Sequence, residues 1–480
     1  MEGHQRLGGK TLKNLWKFVK TSGIYFIGTV LHKLITFFLL PIYTKYIDKA
    51  DMGTYDVANA YITFLCSMLF LDIWSGIMRF TFEYKGDERK KPINSGLAIF
   101  TGSTILYTIV MYAAGCLFDI KYLFLIYLYG ILMNIQTLVG YLARTYGKNA
   151  LYTTSGLVSS FVTVMCNILL IVFVHMDYSA LFISACIGYV VNIVILGWGI
   201  RLHRLISIAS FDRALFVKMF RFSIPLCMNS VAYWFLTSYN RVAITNVLGA
   251  ADNGLYAIAG RFASFITLFT SCFNMAWQEM SYSREAMQES DQSGFYTKAL
   301  NSYIKFLGMG VVILIPAVFV IFPIMINDSY GAAKNLVPYY LLATIASCIS
   351  SFLGNIFTAI KKNDVLFYTT VVGSVINVIS VHLLLPIVGV QGASIALFTG
   401  FFINNVIRVR LLKKNLDIKI DNKFLVLLLF LVIAVTLIYI KAGIILNLLS
   451  GIAGGLIMLW VFRDVIGEIL TSIKKKAGKY

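Results

Sequence analysis

The sequence predicts an all-α integral membrane protein of fourteen transmembrane helices, set as two pseudo-symmetric six-helix lobes around a central cavity, plus two C-terminal helices. Three observations predict it. Of 480 residues, 59% are hydrophobic and only 13% charged, where soluble domains carry about 25% charge. The apolar residues gather in stretches of roughly 20, the length of a helix that crosses a bilayer. A repeat at an offset of 201 residues relates the two halves of the chain.

In chain order the spans are expected at about 21–42, 55–77, 94–115, 121–142, 150–173, 180–200, 220–245, 253–276, 301–326, 335–359, 364–385, 390–407, 424–440 and 443–462. The first is too long for a cleaved signal segment and has no small-residue cleavage site, so it is expected to stay as a signal-anchor. An even number of spans puts both termini on one side. Lys and Arg decide which side. Alternate connectors, together with the two ends, hold 32 of the 41 basic residues, and the opposite connectors hold Lys45, Lys49, Lys121, Lys334 and Lys441. Both ends are therefore expected in the cytoplasm. The formal charge of +19 reflects this bias; it forms no compact basic domain, so no nucleic-acid partner is expected.

The repeat is clearest where Ala50, Asp51, Gly53 and Tyr55 recur as Ala251, Asp252, Gly254 and Tyr256. In each copy the Asp and Gly are expected to make a tight external turn, with the Asp capping the helix that follows. A weaker echo sets Tyr152-Thr153-Thr154 against Tyr368-Thr369-Thr370. Spans one and seven thus begin equivalent units in parallel orientation, a transporter architecture. The domains expected are an N-terminal lobe over 1–200, a linker over 201–219, a C-terminal lobe over 220–410, and two additional helices with a basic tail over 411–480. The segment Trp277 to Lys298 reads as a helical linker near the membrane interface.

Four basic residues, Lys33, Arg241, Arg261 and Lys305, remain inside apolar stretches, with only Asp72 as a comparable acid. A charge at that depth costs about 2.5–3.5 kcal/mol and normally faces a polar cavity or a partner. Excess positive charge suits an anionic passenger. Lys33, with His32 beside it, and Arg261 lie too deep to reach an interface easily. Arg241 is nearer a span end, and Lys305 nearer a boundary, where it is a candidate for the cavity mouth. Arg79 and Arg144, at cytoplasmic helix ends, are candidates for a cavity mouth, although topology alone accounts for positive charge there. A guanidinium grips phosphate oxygens bidentately and Lys acts as a point charge, so basic groups from both lobes would clamp a pyrophosphate. Asn229, Asn240, Gln136, Asn134, Tyr239 and Asn377 offer hydrogen bonds to sugar hydroxyls, but such residues also join helices. Asp72 is expected to pair with a nearby Arg such as Arg79.

Enzyme chemistry finds no footing: there is no Gly-x-Ser-x-Gly, Walker loop, His-Glu-x-x-His or Cys-x-x-Cys, and those motifs carry the nucleophiles, phosphate cradles and metals that it needs. The seven cysteines lie in or at the edges of spans, as small packing residues. No cofactor and no metal are expected.

The runs Leu40-Pro41-Ile42-Tyr43-Thr44-Lys45-Tyr46-Ile47, Asp51-Met52-Gly53-Thr54-Tyr55 and Met78-Arg79-Phe80-Thr81-Phe82-Glu83-Tyr84 resemble the polysaccharide biosynthesis flippases. These are the O-antigen and teichoic-acid exporter branch of the multidrug/oligosaccharidyl-lipid/polysaccharide superfamily. Asn240-Arg241-Val242-Ala243-Ile244 and Gly254-Leu255-Tyr256-Ala257-Ile258-Ala259-Gly260-Arg261 are similar too. The resemblance implies two lobes moving by alternating access in a bacterial cytoplasmic membrane. It implies cationic residues that hold the pyrophosphate of an undecaprenyl-linked oligosaccharide, and partners that include membrane lipids and polysaccharide polymerase machinery. Relatives carry Asp where this chain has Asn240, so an ion-coupling role there is not carried over.

Two other readings compete. A cation-coupled multidrug exporter of the same superfamily wants carboxylates in its cavity, and spans one and seven hold none. A membrane glycan polymerase wants a large external loop, which the sequence lacks. A non-catalytic scaffold gives no reason to insert costly charges.

Overall fold

A computed structural model describes residues 37–287, 292–360, 362, 364–463 and 467. Among them every regular element is helical. The α-helices are α1 (Leu40–Tyr46), α2 (Lys49–Leu69), α3 (Ile73–Thr81), α4 (Lys90–Leu117), α5 (Leu123–Thr145), α6 (Asn149–Ile168), α7 (Ser179–Ile200) and α8 (Arg213–Thr237). They continue as α9 (Tyr239–Val247), α10 (Ala250–Met287), α11 (Gln292–Met325), α12 (Val337–Ala359), α13 (Asp364–Val388), α14 (Gln391–Leu416), α15 (Asn422–Lys441) and α16 (Ile444–Val461). Among the described residues 11 helices are long and apolar enough to cross a membrane, or 12 if the bent pair α2–α3 is one span. The protein is therefore a multi-pass membrane protein. The first expected span lies largely outside the described residues. The eighth falls on α10, which is helical but is not one of the eleven.

Among the described residues one span is broken. The α2–α3 pair bends by 45° where Leu71 and Asp72 both adopt left-handed backbone, φ 55° and 51°. Side chains disfavour that region, so the helix cannot run straight through. The seventh span, α8, is followed after the single residue Ser238, in right-handed backbone, by the short α9.

By contacts the chain divides into two compact units, Met1–Ala257 and Ile258–Tyr480, with α10 running through the division. The segment expected as a cytoplasmic linker, 201–219, lies within the first unit, where α8 packs on α2, α3 and α4. The core of this unit gathers Phe70, Ile77, Phe100, Tyr107, Leu142, Phe182 and Met219, each 8% exposed or less. In the second unit α14 packs on α12 and α13, while α11 carries α12, α15 and α16; the stacked rings of Tyr303 and Phe352 lie 4.5 Å apart at its centre.

The repeat reappears as contact geometry, in a form the turn expectation missed. Gly53 and Gly254 stand inside helices, one turn into α2 and α10, and not in turns. A Cβ on Gly53 would overlap the Ala250 carbonyl, and a Cβ on Gly254 would overlap the Lys49 carbonyl. The contact is reciprocal, since 49 and 53 map onto 250 and 254 under the offset. Backbones that close admit only glycine. Asn253 adds a hydrogen bond from Nδ2 to the Gly53 carbonyl, 2.8 Å. The cap of α2 is Asp48, which accepts from the Ala50 amide at 2.8 Å, and not Asp51, which sits in the first turn where a carboxylate suits the helix dipole.

The connectors are tied down in matching ways. After α7 the chain turns at Arg201, φ 55°. It is then held by Asn94 and Ser95 of α4: Asn94 bonds Leu205 O at 3.0 Å and Ser207 N at 2.7 Å, and the Ser95 hydroxyl bonds the Asp212 amide at 3.1 Å. Asp212 caps α8. After α14 the chain turns at Asp417, φ 48°. There Ser293, Thr297 and Asn301 of α11, spaced four apart and so on one face, bond Asp417 O, Lys419 N and Asp421 N at 2.9–3.1 Å. Asp421 caps α15.

Candidate functional site

The sequence nominated basic groups, and the structure puts them in different circumstances. Lys33 and His32 lie outside the described residues. Lys305 of α11 pairs with Asp421 at 2.9 Å and covers the Phe424 ring, extending the polar stripe that holds the 417–421 connector. Arg79 stacks on Phe222, 4.6 Å from its centroid. Asp72, expected to pair with it, instead accepts from the Ser75 hydroxyl at 3.1 Å; the bend at Asp72 and the aromatic face of Phe222 separate the two charges' partners. Arg144 lies over Tyr141 and Tyr152. Both Arg79 and Arg144 are exposed, as cation–π pairs of this kind commonly are.

Arg261 stands apart from these. It lies in α10 just past the division between the units, partly exposed, with Ile258, Phe262 and Ala263 buried around it. Among the described residues it has no ion pair and no hydrogen bond. A guanidinium in such surroundings keeps its five donors for something else.

Arg241 is different. It lies in α9, three residues past Ser238, and its Nε is 2.8 Å from Asp56 Oδ2 on α2. Its Nη1 donates to the Thr237 carbonyl at the end of α8, 3.2 Å. The pair borders the apolar cluster of Val57, Ala60, Trp234 and Val242, and Trp234 Nε1 donates to Ala60 O at 2.8 Å, which ties α8 to α2. The expectation that Asp72 is the only comparable acid is thus corrected. Asp56 had the outward look of a boundary residue, two positions into an expected span that begins at 55. The helix starts at Lys49, so Asp56 is two turns in. The Asp48 cap is the signal that would have moved the start.

One buried cation escaped notice altogether. Arg408 of α14 is 5% exposed, yet it counted among the cytoplasmic basic residues. Nε donates to Thr369 Oγ1 at 2.9 Å, one Nη to Ser350 O and Oγ at 2.6 and 3.0 Å, and the other to Thr370 Oγ1 at 3.2 Å. It rivets α12, α13 and α14 together. Of the sugar-contact candidates, Asn134 is engaged with Cys66 Sγ and Gly130 O, Asn240 and Asn377 are buried, and Asn229 is exposed.

The arrangement combines a broken span, a backbone-close helix crossing, and guanidinium groups within apolar helices, features that membrane transporters also use. Solved structures agree on the fold. A lipid II flippase MurJ in an inward closed conformation matches with a TM-score of 0.72 and 17% identity, over 92% of this chain and 99% of that one. An inward-facing multidrug resistance MATE family transporter of the MOP superfamily matches at 0.65 and 14% identity, over 81% and 98%. A point mutant of the Vibrio cholerae MATE transporter VcmN matches at 0.53 and 15% identity, over 83% and 96%. No curated protein matches the sequence. The family model described as polysaccharide biosynthesis protein matches residues 18–278, more than half the chain and the whole stretch from α1 through Arg261. The chain belongs to the polysaccharide biosynthesis protein family.

Proposed function

We propose that this protein is a flippase that carries an undecaprenyl-pyrophosphate-linked oligosaccharide unit from the cytoplasmic to the outer leaflet by alternating access, for surface polysaccharide assembly. The observation that carries the reading is Arg261, a partly exposed guanidinium in an apolar helix with no ion pair among the described residues. A doubly charged headgroup repays the cost of such a group, and a neutral or cationic passenger does not. Membership of the polysaccharide biosynthesis family supports the saccharide, and the likeness to a lipid II flippase supports a lipid-linked one.

In this reading Lys33 and Arg241 join Arg261 on the headgroup, with His32 beside Lys33, and Arg79 and Arg144 flank the cytoplasmic entrance. The fold is fourteen spans, six in each repeat over 1–200 and 220–410 with 411–480 added, and both termini cytoplasmic in a bacterial inner membrane. Polymerase machinery then receives the delivered unit. No bond is made or broken in the passage.

The likeness to MATE transporters favours a second reading, a cation-coupled multidrug exporter. Asp56 supplies an acid of the kind that chemistry wants, but Arg241 neutralises it. The two readings separate in a deletion strain. Flippase loss leaves lipid-linked units on the inner leaflet and no surface polysaccharide. Intact polysaccharide with heightened drug sensitivity would mean the exporter instead.

A further inference from the structure

We infer that the connector between α7 and α8, together with the first turn of α8, is a docking surface for anionic phospholipid headgroups. Arg201, Arg204 and Arg213 grip the headgroup phosphates, and apolar side chains beside them enter the same leaflet. The inference goes beyond the proposed transport activity and does not depend on what the cargo is.

Charge at this connector is one-sided and unspent. From Trp198 to Arg221 the chain carries five Lys or Arg against a single acid, Asp212. That acid is committed to the helix it caps, accepting from the Leu215 amide at 3.0 Å. Lys218 is met by Glu83 at 3.7 Å. Arg201, Arg204, Arg213 and Arg221 are all exposed, and among the described residues none has a side-chain hydrogen bond, an ion pair or a ring beneath it. Arg79 and Arg144 stack on aromatic rings instead, and Arg408 is saturated with oxygens. Topology accounts for positive charge on one side of a membrane. It does not account for four unpaired guanidinium groups on a fixed piece of chain.

The surface is also preformed and amphipathic. Two short 3-10 turns, Leu202–Arg204 and Ile208–Ser210, shape the connector. Asn94 and Ser95 of α4 pin it at Leu205, Ser207 and Asp212. A surface already in place binds without first being ordered. Apolar side chains flank the guanidinium groups: Trp198, in the last turn of α7, is 87% exposed, Ile206 50% and Phe211 47%. Aromatic side chains of this kind settle at the headgroup level, which puts the neighbouring guanidinium groups at the depth of the lipid phosphates. A guanidinium takes two phosphate oxygens at once. With both termini in the cytoplasm, as proposed, the connector meets the leaflet whose anionic lipids attract juxtamembrane basic segments. The end of α14 offers a comparison within the same chain. Arg410, Lys413 and Lys414 are exposed there too, but Ile418 of the connector that follows is buried, not outward.

The test uses the purified full chain in detergent micelles, with phosphatidylglycerol as the probe and phosphatidylcholine as its zwitterionic control. Retained lipid is read by native mass spectrometry. Wild type retains phosphatidylglycerol in preference. Arg201→Gln/Arg204→Gln/Arg213→Gln, at wild-type elution and melting temperature, loses that preference by roughly tenfold or more. Arg410→Gln/Lys413→Gln/Lys414→Gln, which removes the same charge from the second unit, keeps most of it. Equal retention of the two lipids by wild type, or an equal loss in both triple variants, overturns the proposal. Displacement of phosphatidylglycerol by inorganic phosphate at matching concentration assigns the arginines to a free anion and overturns the lipid assignment. A changed oligomeric state in the first triple variant, with lipid retention unchanged, assigns the face to a second copy of the chain and overturns it as well. Should that variant not fold, the single Gln variants each show part of the loss, and single variants at the wild-type preference overturn the proposal.

Discussion

At the scale of single residues, cations that look alike in the sequence divide by what surrounds them. Arg408 is saturated with acceptors and Arg261 has none among the described residues. Their substitutions should separate accordingly. Arg408→Ala strips charge-assisted hydrogen bonds from a buried three-helix junction and should lower stability by about 2–4 kcal/mol, seen as an early thermal transition of the detergent-solubilised protein. A transition within a degree of wild type would mean that the rivet is idle. Outside the spans, Asp177 gives a pH-dependent case. Burial pushes its carboxyl up, but hydrogen bonds from Lys121, Ser179 and Tyr122 outweigh that and hold it well below the usual carboxylate range. A carboxyl lowered by folding stabilises above its unfolded value, about 3.9, and that contribution fades as pH falls through the lower folded value. Asp177→Asn should therefore cost less than about 1 kcal/mol near neutrality, as exposed pairs do, and should cost nothing in strong acid. An equal loss at both pH values would contradict this. Sequence pattern located most of these cations but not their partners. Asp56 and Arg408 escaped because both sit within two turns of an expected span end, where hydropathy cannot tell a buried charge from a solvated one.

The elements were more legible than their joints. Long apolar runs such as those in α5, α7, α11 and α15 declare themselves by length, because lipid leaves a spanning backbone no choice but helix. Breaks do not. Leu71 and Asp72 are ordinary residues in left-handed backbone, and nothing in their identity announces the bend. The repeat was legible as matching letters, but its glycines read as turn formers when they are helix-crossing residues. The difference is testable. Gly53→Val places a branched side chain where the Ala250 carbonyl already stands. It should cost about 1–3 kcal/mol of overpacking and prevent α2 and α10 from meeting, so a disulfide between cysteines placed at Asp51 and Asp252 should form in the parent and not in the valine variant. Equal cross-linking in both would return the glycines to a turn role. The two connectors add what composition could not show: Asn94 with Ser95, and Ser293 with Thr297 and Asn301, each hold the chain that follows a left-handed helix end. Polar residues at a span start look like interface in a sequence, and only geometry shows that they are bonded to a stretch of backbone over a hundred residues away.

For the molecule as a whole, fold and family rest on different supports. Solved flippase and MATE structures share the fold at 17% identity or less, so fold is retained where sequence has drifted and cannot by itself name a passenger. The passenger has to be argued from charge. In the proposed reading, an anionic headgroup is the cargo that meets the guanidinium of Arg261 and the Arg241–Asp56 pair. The direct measurement is translocation in proteoliposomes of a fluorescent polyprenyl-pyrophosphate saccharide, followed by its exposure to a membrane-impermeant glycosidase. Wild type should convert label from protected to cleaved with time, and Arg261→Ala, at equal reconstitution, should fall at least roughly tenfold for the loss of one charge-assisted contact. Translocation by Arg261→Ala at the wild-type rate, or none by wild type itself, would contradict the account.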